Sequence, residues 1–392
     1  MNLQKTAILT GANGFIGAHL LRRMLANHWT VHALGRAKAG VAWEERLRQA
    51  IAENLPAQNT PGSADLYCHE AEFSLPDLGL SGKLPIARNT RTVLVHLAGD
   101  TRFMPSDPMA QQHTNVDNSL NLIRKLHPVI SQVVHVSTAY VAGNRTGVIL
   151  ETETNVGQGF HNHYEKSKLE AELAVSASCR QLNLPLVMVR PSIIINDLRH
   201  GRSSAFTHLN VLVEVANRIR AYYGIGDGEV VNREIRIPIA PTARPNAAPV
   251  DPIVEALAGI LESPAAAGKT FHLCHPSPQS NEEVFGLALS AFGIQGKIQL
   301  RFVQQLEKPL TRTEEMVARA FRVYLPYLNQ SASFDCSNTR ALIPQYNQMF
   351  PPMTVEYLAK VIASEKSNRE QTPFAEKNHD LRGKNSVLSP QP

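Results

Sequence analysis

Residues Thr10-Gly11-Ala12-Asn13-Gly14-Phe15-Ile16-Gly17 constrain this chain more than any other stretch. They follow an apolar run, Ala7-Ile8-Leu9, and lead into a segment with Phe15, Ile16, Leu20, Leu21, Met24 and Leu25 on one helical side. Strand, glycine-rich turn and helix in that order bring the unpaired N–H groups and positive end of a helix to the edge of a sheet. Gly11 permits the tight turn, Gly14 lets backbone N–H groups approach phosphates, and Gly17 lets the helix lie close on its strand. The pattern predicts a dinucleotide pyrophosphate site built from Gly11, Asn13, Gly14, Phe15, Ile16 and Gly17. An ordinary strand-to-helix turn is the plain alternative.

The same rhythm continues. Apolar runs at Val31 to Leu34, Leu66 to Cys68, Val93 to Leu97, Val133 to Ser137 and Leu186 to Val189 alternate with helical patterns at Gly17 to Asn27, Asn115 to His127 and His163 to Leu182. Runs with little polar alternation belong to strands covered on both faces, so the fold class is α/β, a doubly wound parallel Rossmann sheet. After about Pro191 the rhythm breaks. Leu209 to Tyr223 and Val250 to Glu262 read as helices, a glycine-rich turn spans Gly224 to Gly228, and Thr270 to Cys274 reads as a late strand. From Pro276 the pattern is mainly helical. The expected division is a dinucleotide domain over 1–198 plus about 246–275, and a smaller, mainly helical C-terminal substrate domain over 199–245 and 276–363. Residues 364–392 are polar and aperiodic, as in a disordered tail.

Composition excludes more than it selects. Thirty-nine Lys and Arg against 34 Asp and Glu give a net charge of +5, which suits an anionic cofactor or an acidic acyl carrier. No basic stripe interleaves with aromatic residues, so nucleic acid is not an expected partner. The first strand begins within a few residues of Met1, which leaves no room for a leader, and no apolar run is long enough for stable membrane insertion. Cys68, Cys179, Cys274 and Cys336 are far apart, which suggests a reducing, cytoplasmic setting rather than zinc or disulfides. His161 and His163 flank Asn162 without a third ligand nearby, so no metal is expected. His96 and His135 lie inside strand patterns and read as hydrogen-bonded core residues. Oligomeric state is not legible.

The second strand ends Ala33-Leu34-Gly35-Arg36. A carboxylate there would hold a ribose 2′-hydroxyl, whereas a guanidinium can pair with a 2′-phosphate and stack on adenine, so NADPH is the expected cofactor. Lys38 and Arg46 can add charge. Arg36 as a solvated loop residue, and Arg46 on an exposed helix face beside Glu44 and Glu45, are the alternatives. Ala98 and Gly99, closing the fourth strand, are small enough for the cofactor to approach. Glu72 can meet the adenine amino group or simply face solvent.

Tyr164 and Lys168 stand at i and i+4, on one helical face. A carbonyl that accepts a hydride needs a proton at its oxygen, and a nearby ammonium, helped by the positive nicotinamide, favours the phenolate and brings the phenol toward the working range. Lys168 can also hold the nicotinamide ribose hydroxyls. Thr138 ends a strand pattern in His135-Val136-Ser137-Thr138-Ala139-Tyr140, at the carboxyl edge where open sheets bind ligands, and can donate to the same carbonyl oxygen. Asn115 either fixes a water that relays protons to Lys168 or caps a helix. Tyr222-Tyr223, Phe321, Tyr324 and Tyr327 either line an acyl tunnel or form core.

Through Gly11-x-x-Gly14-x-x-Gly17, Asn115, Thr138, Tyr164 and Lys168 the chain resembles an extended short-chain dehydrogenase/reductase. More narrowly it resembles the thioester reductase and fatty acyl-CoA reductase (male-sterility) branch. Leu75-Pro76-Asp77-Leu78-Gly79-Leu80-Ser81, Asn162-x-Tyr164-Glu165-x-Ser167-Lys168, Arg190-Pro191-Ser192, Asn246-x-x-Pro249-Val250-Asp251 and Phe334-Asp335-x-Ser337-Asn338 carry that match. It places Pro191 among the cofactor residues. It implies NADPH-dependent reduction of an acyl thioester, on coenzyme A or an acyl carrier protein, to an aldehyde and from there to an alcohol. The alternatives are a ketone or aldehyde reductase, a sugar-nucleotide dehydrogenase or epimerase, and a non-catalytic NADP-binding redox sensor.

Overall fold

A computed structural model describes residues 5–54, 65–80, 82, 84–86, 90–202, 208–224 and 233–371. Along the chain, β1 (Lys5–Thr10) leads through the glycine turn into α1 (Phe15–Ala26), and β2 (Thr30–Gly35) into α2 (Trp43–Asn54). β3 (Leu66–Glu70) and β4 (Arg91–His96) precede α3 (Pro108–Gln112) and α4 (Asn118–Leu126), joined by a π-turn over His113–Asp117. Next come β5 (Gln132–Val136), β6 (Gly147–Ile149), α5 (His163–Gln181), β7 (Leu186–Pro191) and β8 (Ile193–Ile195). The second half holds α6 (His208–Tyr222), β9 (Arg233–Ile237), β10 (Ala247–Pro249), α7 (Val250–Glu262) and β11 (Thr270–Leu273). It closes with α8 (Asn281–Ala291), β12 (Ile298–Phe302), α9 (Arg312–Phe321), α10 (Leu325–Leu328), β13 (Ala332–Phe334), α11 (Ser337–Leu342) and α12 (Val355–Gln371).

Seven strands form one sheet in the order β3-β2-β1-β4-β5-β7-β11, and every pairing is parallel. The chain direction across the sheet reverses between β1 and β4, which opens a crevice at their carboxyl ends. One face is covered by α1 and α7 through Leu20, Leu21, Met24, Ile253, Leu257 and Ile260. The other is covered by α4 and α5 through Leu122, Ile123, Leu126, Val175 and Cys179. Each such side chain taken fully from water contributes about 1.5–3 kcal/mol, so the two apolar faces fix the doubly wound arrangement.

A separate core gathers α6, α8, α9, α12, β9 and β12 around Leu209, Val213, Ile235, Phe285, Val317, Phe321 and Leu358. It is not wholly helical, because β9 and β12 pair in parallel from Arg233↔Ile298 to Ile237↔Phe302. The segment from Ala332 to Phe350, grouped by its helical pattern with the second region, packs instead into the Rossmann core. β13 pairs with β6, and Ile343, Tyr346 and Phe350 join the α1–α7 face. The buried Glu151 carboxylate accepts from Asn338 N at 2.6 Å, His272 N at 2.9 Å and Thr339 Oγ1 at 3.0 Å, while Tyr346 donates to the Cys274 carbonyl at 2.8 Å.

Other boundaries also move. The helix expected from Asn115 starts at Pro108, where Asp107 Oδ1 accepts from Met109 N at 2.9 Å and Ala110 N at 3.1 Å, with proline in the first turn. α12 continues to Gln371, past the point where the tail was expected; the rest of that tail, the turn residues 225–228 and Ser81 lie outside the described residues. Among the described residues no helix is long and apolar enough to cross a membrane.

Candidate active site

The glycine turn sits at the crevice. Gly11 has φ of +72°, and a Cβ there would lie 2.7 Å from the Ala98 nitrogen; at Gly17 it would lie 2.0 Å from the Gly11 carbonyl oxygen. Both positions therefore exclude side chains, one through conformation and contact, the other through contact alone. Gly14 precedes the first turn of α1, and that turn carries neither a side-chain cap nor an acidic residue. Its backbone N–H groups and the helix dipole are left for an anion, so this cradle fits a dinucleotide diphosphate. Asn13 and Ile16 are half-buried at the turn while Phe15 packs into the core. Across the crevice, Ala98 N donates to Thr10 Oγ1 at 3.2 Å, and Gly99 is exposed.

At the β2 end, Arg36 is largely exposed, its guanidinium 3.7 Å from the Glu72 carboxylate. Arg46, from α2, donates to the Arg36 carbonyl at 2.5 Å. Partial burial and the neighbouring Arg36 charge hold the Arg46 guanidinium below its ordinary range, so two cations stand close together. Glu72 Oε1 also accepts from Ser74 Oγ at 3.0 Å. The expected cofactor-contacting cations and the acid beyond β3 thus share one patch.

At the other end, Thr138 and Tyr164 meet: the Thr138 side chain is close enough to the Tyr164 phenol to favour its ionised form. Thr138 leaves β5 in extended backbone and caps the turn Ala139–Ala142, with Oγ1 accepting from Tyr140 N at 3.2 Å and donating to the Pro191 carbonyl at 3.4 Å. Pro191 ends β7, so three adjacent elements converge on this point. Lys168, one turn beyond Tyr164, is buried, and its Nζ donates to the Val136 carbonyl at 2.9 Å. Burial pulls Lys168 down to about 8, with Glu172 opposing. Burial pushes Tyr164 up to about 12, Glu165 adding to the rise and the Thr138 side chain opposing it. In the protein by itself the phenol is governed by desolvation and Glu165, and Lys168, expected to lower it, is not among the groups that shift it.

Asn115 neither opens nor caps a helix; it lies inside the π-turn. Its Oδ1 accepts from Asp100 N at 2.7 Å, and its Nδ2 donates to the Asp100 carbonyl at 3.0 Å and to Ser167 Oγ at 2.9 Å. Ser167 in turn donates to the Tyr164 carbonyl at 2.9 Å. Asn115 thereby ties the loop after β4 to the helix that carries Tyr164 and Lys168. Sequence reasoning missed that loop: Phe103 lies 5.9 Å from the Tyr164 ring, 5.8 Å from Tyr324 and 5.2 Å from Tyr327, centroid to centroid. Tyr324 and Tyr327 are buried against this wall, while Tyr222 is exposed away from it, stacked edge-on against Tyr223.

Behind the site, His96 is satisfied by Thr10 Oγ1 at 2.7 Å and Ser119 Oγ at 2.8 Å, as expected of a core histidine. His135, its neighbour across the β4–β5 register, departs from that expectation, with both ring nitrogens buried and unpartnered. Burial and Lys168 push both rings down, His96 to about 3. Among the described residues no group of three His, Cys, Asp or Glu could hold a metal. A cavity of about 260 Å³ lined by Ile195, Leu212, Ala247, Phe285 and Tyr357 lies apart from Thr138, Tyr164 and Lys168.

A parallel sheet with this glycine cradle, and a hydroxyl, phenol and buried ammonium at its carboxyl edge, define an NAD(P)-binding oxidoreductase of the extended short-chain dehydrogenase/reductase class. The family model described as Male sterility protein matches residues 9–257, and the chain belongs to that family. The fatty acyl-CoA reductase 1 of Rattus norvegicus is 29% identical over 150 residues, which cover 36% of this chain and 29% of the relative. The hybrid PKS-NRPS synthetase gkaA of Penicillium citrinum is 26% identical over 200 residues, 49% of this chain and 5% of the synthetase, so the chain matches a small part of that relative. The crystal structure of the terminal R domain from the myxalamid PKS-NRPS pathway superposes with a TM-score of 0.72 at 19% identity, over 94% of this chain and 92% of that one.

Proposed function

We propose that the chain reduces the carbonyl carbon of an acyl thioester with NADPH. The neighbouring Thr138 and Tyr164 hydroxyls, beside buried Lys168 at the mouth of the crevice, carry this reading. When bound, NADPH supplies a hydride. Thr138 and Tyr164 donate hydrogen bonds to the thioester oxygen and stabilise charge as it develops there. Tyr164, kept protonated by its burial, then gives its proton to that oxygen, and the Lys168 ammonium stabilises the resulting phenolate. Collapse of the hemithioacetal breaks the carbon–sulfur bond and leaves an aldehyde and a free thiol. A second round on the aldehyde gives an alcohol.

Arg36 and Arg46 select NADPH by pairing with the 2′-phosphate, and the cradle from Gly11 to Gly17 takes the diphosphate. The family relation and the matched R domain support a thioester presented by coenzyme A or a carrier protein. The test is parallel measurement of NADPH consumption and thiol release with acyl-CoA and acyl-carrier substrates. One thiol released for every NADPH consumed (aldehyde product) or for every two (alcohol product) supports the proposal; turnover of ketones or aldehydes with no thioester turnover refutes it. Tyr164→Phe should abolish turnover and leave NADPH affinity nearly intact.

A further inference from the structure

The first turn of α5 is completed by a residue from the second region. Asn162 caps the helix by accepting from Glu165 N at 3.1 Å, and its Nδ2 donates to the Tyr327 phenol oxygen at 2.6 Å. Tyr327, on α10, donates onward to Glu165 Oε1 at 2.6 Å. Glu165 is fully buried, and its carboxylate also accepts from His161 N at 2.8 Å and pairs with His161 Nδ1 at 3.2 Å. The ring Asn162–Tyr327–Glu165 thus closes around the turn that bears Tyr164. The Tyr327 ring also backs Phe103, which lies against the Tyr164 ring, and meets Tyr140 edge-on at 4.8 Å. Tyr164 is gripped on two sides by contacts that run through one second-region phenol.

We propose that Tyr327 and Glu165 are a coupled pair of positioning residues, through which docking of the second region sets the place and protonation of Tyr164. The inference rests on the proposed use of Tyr164 as the proton donor. A buried carboxylate beside a phenol disfavours the phenolate, and the carboxylate is held there only because Tyr327 and His161 satisfy it. The charged and titratable groups around Tyr164 include His163, Glu165, Lys166 and Lys168 on its own helix, His161 ahead of it and Tyr140 beyond β5. From other elements come Tyr324 and Tyr327 near α10, and the Asp100–Arg102 pair on the loop after β4.

A double-mutant cycle with Tyr327→Phe and Glu165→Gln tests the coupling. Each single change should lower kcat about tenfold with the KM for NADPH unmoved, and the double variant should lose no more than the worse single. Losses that multiply, or unchanged kcat in both singles, overturn the proposal. A second readout needs no turnover: phenol absorbance titrated in wild type and Glu165→Gln, each minus its Tyr164→Phe counterpart. Removing the carboxylate charge should move Tyr164 ionisation to lower pH, and an unmoved titration overturns the proposal even if thioesters prove not to be substrates. Should Tyr327→Phe fail to fold, Glu165→Gln alone decides through this titration. A shifted titration without thioester turnover sinks the reductase reading and leaves the coupling standing.

Discussion

The two ends of the cofactor crevice are built on opposite principles. At the proposed catalytic end, Lys168 is buried, tied to the Val136 carbonyl and pulled down to about 8, and Tyr164 is held at about 12 beside the Phe103 ring. At the other end, Arg36 stands 63% exposed with a carboxylate 3.7 Å away as its charged neighbour. Desolvation strengthens every electrostatic interaction at the first end, where proton transfer needs it, and costs stability there. Water screens the second end, where the proposed discrimination between two cofactors would need only a few hydrogen bonds. Under the proposed function, the difference teaches that chemistry and recognition would be separated by burial.

The sharpest way to break that contrast is at the buried end. Tyr164→Phe removes the proton donor without removing the ring, and kcat should fall by about 10³-fold or more while the NADPH dissociation constant stays within about twofold. Comparable losses in both would mean that the phenol serves binding. At the exposed end, Arg36→Ala should weaken NADPH about tenfold and leave NADH unchanged, read by fluorescence titration; equal weakening of both would undo the separation of roles. A smaller effect distinguishes the buried cation from the phenol. Lys168 is charged below about 8 and loses its proton above it, so kcat should decline several-fold between pH 7 and 9. Because Tyr164 remains protonated up to about 12, that decline should persist unchanged in position when Thr138→Ser alters the phenol's neighbour. The smallest expected change is at Glu72. If it only competes for Arg36, Glu72→Gln should tighten NADPH by about twofold, the scale of an exposed ion pair; weaker binding would instead assign it a contact with the adenine.

Stability should also depend on pH through the buried histidines of the sheet and α1. His19, His96 and His272 are pushed down to about 4, 3 and 4 by burial, so they remain neutral in the fold when an unfolded chain would bind protons near 6.5. The unfolded state then holds more protons below about 6.5, and stability is fully present above that value and falls as pH drops toward 4. Each such histidine removes about 1.4 kcal/mol per pH unit within that window. A urea unfolding series that stays flat from pH 7 to 5 would contradict the neutral assignment.

Much of this was legible in sequence because the signals are local. The glycine turn, the apolar strand runs, and Tyr164 with Lys168 at i and i+4 each lie within one element or one junction. Thr138 was found because it closes a strand pattern. What escaped depends on pairings between distant segments. Glu165 reads as an ordinary charged helix residue until Tyr327 arrives from the second region, and Phe103 has no period to betray it. The π-turn that carries Asn115 inward leaves no composition mark, and the Asp107 cap and Pro108 that start the helix earlier went unread. β9 and β12 are short and lie in different stretches of a mostly helical pattern, so neither predicts the other. The phenol's rise was missed because sequence shows Lys168 as a neighbour but neither the burial of that ammonium nor the desolvation of the phenol beside it.

The return of Ala332–Phe350 to the first region bears on the order in which this protein can mature during synthesis. Glu151, β6 and the edge strand β11 meet their last partners only when that late segment has left the ribosome. Nascent chains stalled with residue 330 just emerged should therefore be cut readily by protease near β6 and β11, while chains released after Gln371 should resist. Protection at the earlier stall point would show that the nucleotide-binding half matures without its C-terminal clasp.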